Sequence, residues 1–96
     1  MTAEKYLREI ISYTKKYISV LHAYRADTRD PNSVDELIRA AERDLKTFET
    51  IKLPRELPND KMKALIETWS SIQQSIKDAE TAHEHAIRRK RIAALG

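Results

Sequence analysis

The 96-residue sequence has no cysteine, one glycine and three prolines. Without cysteine the chain cannot form disulfides, thiolate zinc sites or cysteine nucleophiles. With one glycine it cannot build the glycine-rich turns that hold phosphates in P-loop and dinucleotide-binding proteins. No apolar run approaches the ~18 residues needed to span a bilayer, and no apolar signal segment follows the N-terminus. We therefore expect no membrane association and a cytoplasmic or otherwise intracellular location.

Charged residues are abundant in the sequence. Charged residues make up 34% of the chain and hydrophobic residues 41%, a composition typical of solvated amphipathic helices joined by few turns. The charge is nearly balanced, with 18 basic residues against 15 acidic ones and a net charge of +3. Ninety-six residues suit one domain, so residues 1–96 are expected to form a single all-α unit.

The longest pattern is a heptad repeat from Asn59 to Leu95, which predicts one long helix. Trp69 lies on its apolar seam and is expected in the core. Beyond Ala82 the large apolar residues of the seam give way to small or polar ones, so about ten residues should extend past the other helices. The seam positions are Met62, Leu65, Trp69, Ile72, Ile76, Ala79, His83, Ala86, Lys90 and Ala93.

Two shorter helices precede it. Thr2 is a suitable N-cap for the first, whose apolar face is wide enough to contact two neighbours. Ser33 and Glu36 have the spacing of a capping box at the start of the second, and Asn59 is a suitable cap for the third. Because the connections are short, we predict an up-down-up three-helix bundle with a long, overhanging C-terminal helix. The predicted helices cover residues 3–26, 34–52 and 60–94.

No arrangement of residues predicts catalysis, a metal site or a cofactor. Glu80 and His83 have the Glu-x-x-His spacing of di-iron helical bundles, but such sites need a second copy of the motif and glutamates from facing helices. His85 lies only two residues from His83 and so points to a different side of the helix. We expect these residues to be a solvated continuation of the seam.

The densest charge cluster is near the C-terminus. Four consecutive cations radiate around a helix, where the helix dipole favours them even without a ligand. Contact with nucleic-acid phosphates and docking on an acidic protein surface are the two functional alternatives to a solvated helix end. In the predicted bundle two arginines near the first connection extend this basic zone. The candidate anion-binding residues are Arg25, Arg29, Arg88, Arg89, Lys90 and Arg91.

All four tyrosines lie in the first helix, within about 40° of one another around its axis. In one interpretation each ring packs against the neighbouring helix and its hydroxyl reaches water. In the other the strip is a protein interface or a stacking platform for single-stranded bases. The candidate interface residues are Tyr6, Tyr13, Tyr17 and Tyr24.

Together these features predict a non-enzymatic accessory or adaptor subunit. It would bind a larger protein partner and contact DNA or RNA phosphates through its basic C-terminal helix end. The alternative is a self-assembling, dimeric structural protein without nucleic-acid binding, in which the overhang and the tyrosine strip pair with a second copy.

Overall fold

A computed structural model describes all residues from Met1 to Gly96 and contains three α-helices and no strand. They are α1 (Ala3–Asp27), α2 (Pro31–Thr50) and α3 (Asn59–Leu95). The prediction of an all-α, three-helix chain is confirmed. None of the three helices has the length and apolar character needed to cross a membrane.

The start of α2 differs from the prediction. The helix begins at Pro31, three residues before residue 34, and the capping box proposed for Ser33 is not its start. Asp30 is the cap instead, and its carboxylate accepts hydrogen bonds from the Ser33 backbone N–H at 3.3 Å and from Ser33 Oγ at 2.5 Å. Proline suits the first helical position because its φ is already helical and its missing N–H would have no partner there.

The cap of α1 is as predicted, since Thr2 Oγ1 accepts the Lys5 backbone N–H at 3.2 Å. The other helix boundaries differ from the predicted ones by one or two residues. α2 ends at Thr50 rather than residue 52. Asn59 is the first residue of α3, not its cap, and the Pro58 carbonyl oxygen accepts the Met62 N–H at 2.9 Å.

The central element is α1, which packs against both other helices. No Cα atom of α2 lies within 8 Å of a Cα atom of α3. The two helices therefore both pack on α1 while their own backbones stay apart, so that the core follows the α1 contacts. The buried side chains are Ile10, Thr14, Leu21, Val34, Ile38, Ala41, Ile76, Ala79 and Ala86.

Trp69 is half-buried, which corrects the expectation that it belongs to the core. Its ring meets Tyr6 edge-on, with ring centroids 5.3 Å apart and planes at 78°. Its Nε1 donates a hydrogen bond to Glu9 Oε1 at 3.2 Å. An indole N–H that is removed from water needs an acceptor, and a carboxylate at the edge of the bundle provides it while keeping the ring near the surface.

The core also extends further along α3 than expected. Ala86 is 5% exposed, although the seam was expected to leave the core near Ala82. Small alanines can stay buried where helices approach closely, so loss of large residues did not mark the end of the interface. Every residue from Arg88 onward is exposed. The molecule is correspondingly long, with dimensions of 60 × 20 × 17 Å.

Candidate functional site: a groove and a basic helix end

The separation of α2 from α3 leaves a groove along the molecule, which we call the α2–α3 groove. Its floor is α1 and its walls are α2 and α3. The middle section has a volume of about 530 Å³, and a second, more apolar section of about 520 Å³ lies towards the α2–α3 loop. The middle section is lined by residues that include Thr14, Tyr17, Leu37, Asp44, Phe48, Glu67 and Ile72.

The floor of the groove has its polar groups satisfied. The Thr14 side chain is 1% exposed, and its Oγ1 donates to the Ile10 carbonyl oxygen at 2.7 Å. Burial raises the pKa of the Tyr17 hydroxyl, and the negative charge of Asp78 raises it further. The two α1 side chains of the floor, Thr14 and Tyr17, therefore carry no charge.

In the middle section the walls are largely apolar and the charged lining residues are acidic, whereas Lys52 and Lys61 line the section towards the loop. Leu37 is 46% exposed, which is high for a leucine on the inner side of a helix. Asp44 and Glu67 are exposed, one on each wall, and neither takes part in the ion pairs of the structure. A ligand that complements the groove would therefore carry apolar side chains flanked by cations.

The amino-acid sequence does not predict this groove. The wide apolar face of α1 indicated two neighbours, but a hydrophobic pattern on α1 does not say how far apart those neighbours lie. By its spacing, Leu37 is an ordinary member of the apolar face of α2, and the sequence does not predict that it is exposed.

At the other end of the molecule, Arg25 is paired within the chain. It binds Asp35 with both branches of its guanidinium, through Nε at 2.5 Å and Nη2 at 3.1 Å. This hydrogen bonding holds the pKa of Asp35 below its usual range. The pair joins the end of α1 to the first turns of α2.

Lys90 is also paired. Its Nζ donates to Asp27 Oδ1 at 2.9 Å, while Asp27 Oδ2 lies 2.7 Å from His83 Nε2. The hydrogen bonds from Lys90 and His83 lower the pKa of Asp27. This cluster holds the end of α1 to α3. The sequence near Lys90 does not predict the ion pair, because Asp27 lies 63 residues away.

The other four candidate cations, Arg29, Arg88, Arg89 and Arg91, are exposed and form no ion pair. Arg29 and Arg89 line one small pocket of about 280 Å³, together with the carboxylates of Asp27 and Asp30. Arg88 and Arg91 point elsewhere, since they lie ~100° and ~200° around the helix from Arg89. The structure thus brings three of the six predicted residues, Arg29, Arg89 and the paired Lys90, to one pocket. It pairs Arg25 with Asp35 and leaves Arg88 and Arg91 on another face.

The four tyrosines are all half-buried. Tyr6 contacts Trp69, and the Tyr24 ring lies 6.4 Å from the ring of His83. Tyr13 donates its hydroxyl to Glu9 at 3.4 Å, and Tyr17 lies in the groove floor. Each ring makes contacts within the chain, and partner binding through the strip stays a prediction.

The Glu80 and His83 pair does not come together as a site. His83 is hydrogen-bonded to Asp27, and Glu80 is exposed. No group of three or more histidine, aspartate or glutamate side chains is arranged to hold a metal ion.

No family model, curated protein or solved structure matches this chain. Its function is therefore inferred from the α2–α3 groove and the basic end of α3.

Proposed function

We propose that this chain is a non-enzymatic accessory or adaptor subunit, cytoplasmic or otherwise intracellular, that binds a helix of a larger protein partner. The observation that supports the proposal is the α2–α3 groove. Amphipathic helices bind by laying side chains spaced at i, i+3, i+4 and i+7 into such grooves. A long, open groove between two separated helices matches a rod-shaped ligand better than a compact small molecule.

The proposal includes an up-down-up order of the helices, with the end of α3 overhanging the other two. Two contacts support it. Tyr6, near the start of α1, meets Trp69, whereas Asp27, at the end of α1, meets Lys90. Residue numbers therefore increase in the same direction along α1 and α3, so these two helices run parallel. Most of the exposed residues from Arg88 onward lie beyond the last of these contacts.

A non-enzymatic role agrees with the chemistry of the groove floor. A nucleophilic hydroxyl needs an adjacent base to remove its proton. The buried Thr14 hydroxyl instead donates its proton to the Ile10 carbonyl oxygen, which cannot act as that base. The carboxylates of the groove lie at its exposed rim, where they suit recognition of a cationic partner.

Phosphate contact is the second part of the proposal. Arg88, Arg89 and Arg91 are the free cations at the C-terminal end of α3, and Arg29 lines the same pocket as Arg89, between the first loop and α3. About three phosphate contacts would give a slope near −3 for log affinity against log salt on duplex DNA, with affinity in the weak, non-specific range.

The groove is tested by titration of a fluorescent amphipathic peptide of about 18 residues, or five helical turns, with leucines on one face and lysines beside them. We expect the change Leu37→Glu to weaken binding by at least about tenfold, because it places a charge on the apolar wall. Ala23→Glu, at an exposed position of α1 outside the groove, is the matched control and should leave the affinity unchanged. Binding that is equally strong in both variants, or absent from a parent that is monomeric, would contradict the proposal.

Phosphate contact is tested separately with a variant carrying Arg88→Ala, Arg89→Ala and Arg91→Ala. Lys90 is kept because its ion pair holds α3 to α1. The variant should lose binding to labelled single-stranded and duplex DNA at low salt. A variant with Lys5→Ala, Lys15→Ala and Lys16→Ala removes the same charge from exposed positions of α1 and should retain most of it.

A further inference from the structure

The end of α3 carries an apolar and cationic face that contacts nothing in its own chain. We call residues Arg88–Leu95 the α3 tail. Ile92 is 68% exposed and Leu95 is 89% exposed. With Arg88 they follow i, i+4, i+7 spacing, so all three share one side of the helix. That side is opposite to Ala86 and Lys90, which face α1.

The middle section of the α2–α3 groove has the complementary chemistry. It offers apolar surface at Leu37, Phe48 and Ile72, and unpaired carboxylates at Asp44 and Glu67 on its rim. The tail offers the reverse, with apolar side chains flanked by the free cations Arg88 and Arg91. Apolar contact would provide most of the binding energy, and the opposite charges would select the register.

A chain cannot place its tail in its own groove. α3 is one continuous helix from Asn59 to Leu95, and the groove section beside Ser71 is separated from Ile92 by 21 residues of that helix, or about 30 Å. A tail that occupies the groove must therefore come from another molecule.

We propose that the tail of a second copy of this chain binds in the α2–α3 groove. Each copy has one tail and one groove, so two copies related by a two-fold axis can exchange tails reciprocally and close as a dimer. The inference rests on the proposed function in using the same groove, and a partner helix of the same chemistry would compete with the tail.

Charge reversal on each side tests this pairing. The tail variant carries Arg88→Glu and Arg91→Glu, and the groove variant carries Asp44→Lys and Glu67→Lys. Within either variant, tail and groove have the same sign and repel each other. In an equimolar mixture every tail meets a groove of opposite sign, so the heterodimer should form where neither homodimer does.

The measurement is sedimentation equilibrium, with circular dichroism to show that each variant keeps its helices. The parent should reach twice the 11.2 kDa chain mass, and each variant alone should dimerise with a Kd at least about tenfold higher. The mixture should return towards the parent Kd. Controls with Lys15→Glu and Lys16→Glu, or with Glu42→Lys and Glu49→Lys, reverse the same number of exposed charges outside tail and groove, and should dimerise as the parent does.

A parent that stays monomeric, variants that dimerise like the parent, or a mixture without recovery would each overturn the inference. The two proposals can fail separately. A monomeric parent that binds the labelled peptide through Leu37 overturns the tail exchange alone. A parent that dimerises through its tail, while the monomeric tail variant fails to bind the peptide, overturns the proposed function alone.

Discussion

Trp69 shows at the scale of one residue how α3 is held to α1. The change Trp69→Ala would remove the edge contact with Tyr6 and leave Glu9 without its indole donor. We expect the free energy of unfolding, measured in urea, to fall by about 2 to 3 kcal/mol. This is below the range for a fully buried tryptophan because the ring is partly exposed.

Trp69→Phe separates the ring from its hydrogen bond. Phenylalanine keeps an aromatic contact for Tyr6 and loses only the bond to Glu9, so its cost should be about 1 kcal/mol. A phenylalanine variant as unstable as the alanine variant would mean that the polar contact, and not the ring, carries the stabilisation.

At the scale of the elements, three ionised carboxylates hold the end where α1 meets α2. The pKa of Asp27 is lowered by Lys90 and His83, that of Asp30 by hydrogen bonds from Ser33, and that of Asp35 by Arg25. A carboxyl whose folded pKa is lowered stabilises the fold fully above its unfolded pKa, about 4 for aspartate. That stabilisation is lost as pH falls through the lowered folded value.

We therefore expect acid to loosen this end first. As pH falls below about 4, amide protons of the α1–α2 connection should lose protection before those around Trp69 in hydrogen-exchange NMR. The melting temperature should fall over the same interval. Asp27→Asn, which cannot ionise, should be less stable than the parent at neutral pH and lose less on acidification. A melting temperature that is constant down to about pH 2 would refute this expectation.

The α3 tail should contribute little to the stability of its own monomer. Residues 91–96 are exposed, so a chain ending at Lys90 should keep its free energy of unfolding within about 0.5 kcal/mol, measured at concentrations where the chain is monomeric. Ending the chain at Arg89 also removes Lys90, one of the two partners of Asp27, and should be more costly. Equal stability of these two shortened chains would indicate that the Lys90 ion pair is too solvated to matter.

The elements also show what the sequence could and could not predict. Periodicity identified all three helices because burial of one face dictates a repeat of 3.6 residues. The start of α2 was misplaced since Asp30 and Ser33 can both cap a helix, and Pro31 favours the earlier one. The sequence predicts neither the ion pair between Asp27 and Lys90 nor the groove, because both depend on the distances between whole helices.

The whole molecule is elongated, with a Cα radius of gyration of 16.3 Å. A compact domain of this length would have a radius near 12.5 Å. Small-angle X-ray scattering of the dilute monomer should therefore give at least the larger value, together with a maximum dimension near 60 Å. A radius close to that of a sphere would mean that α3 is not a continuous helix in solution.

The central position of α1 also has a consequence for how the chain folds. α1 and α2 are adjacent in sequence, so their interface closes only a short loop, whereas the contacts of α3 join residues as many as 63 positions apart. Loop-closure entropy then favours an α1–α2 hairpin as the early structure, with α3 docking on it later. Because α1 takes part in both interfaces, its amides should exchange most slowly, and it should be the last helix to melt.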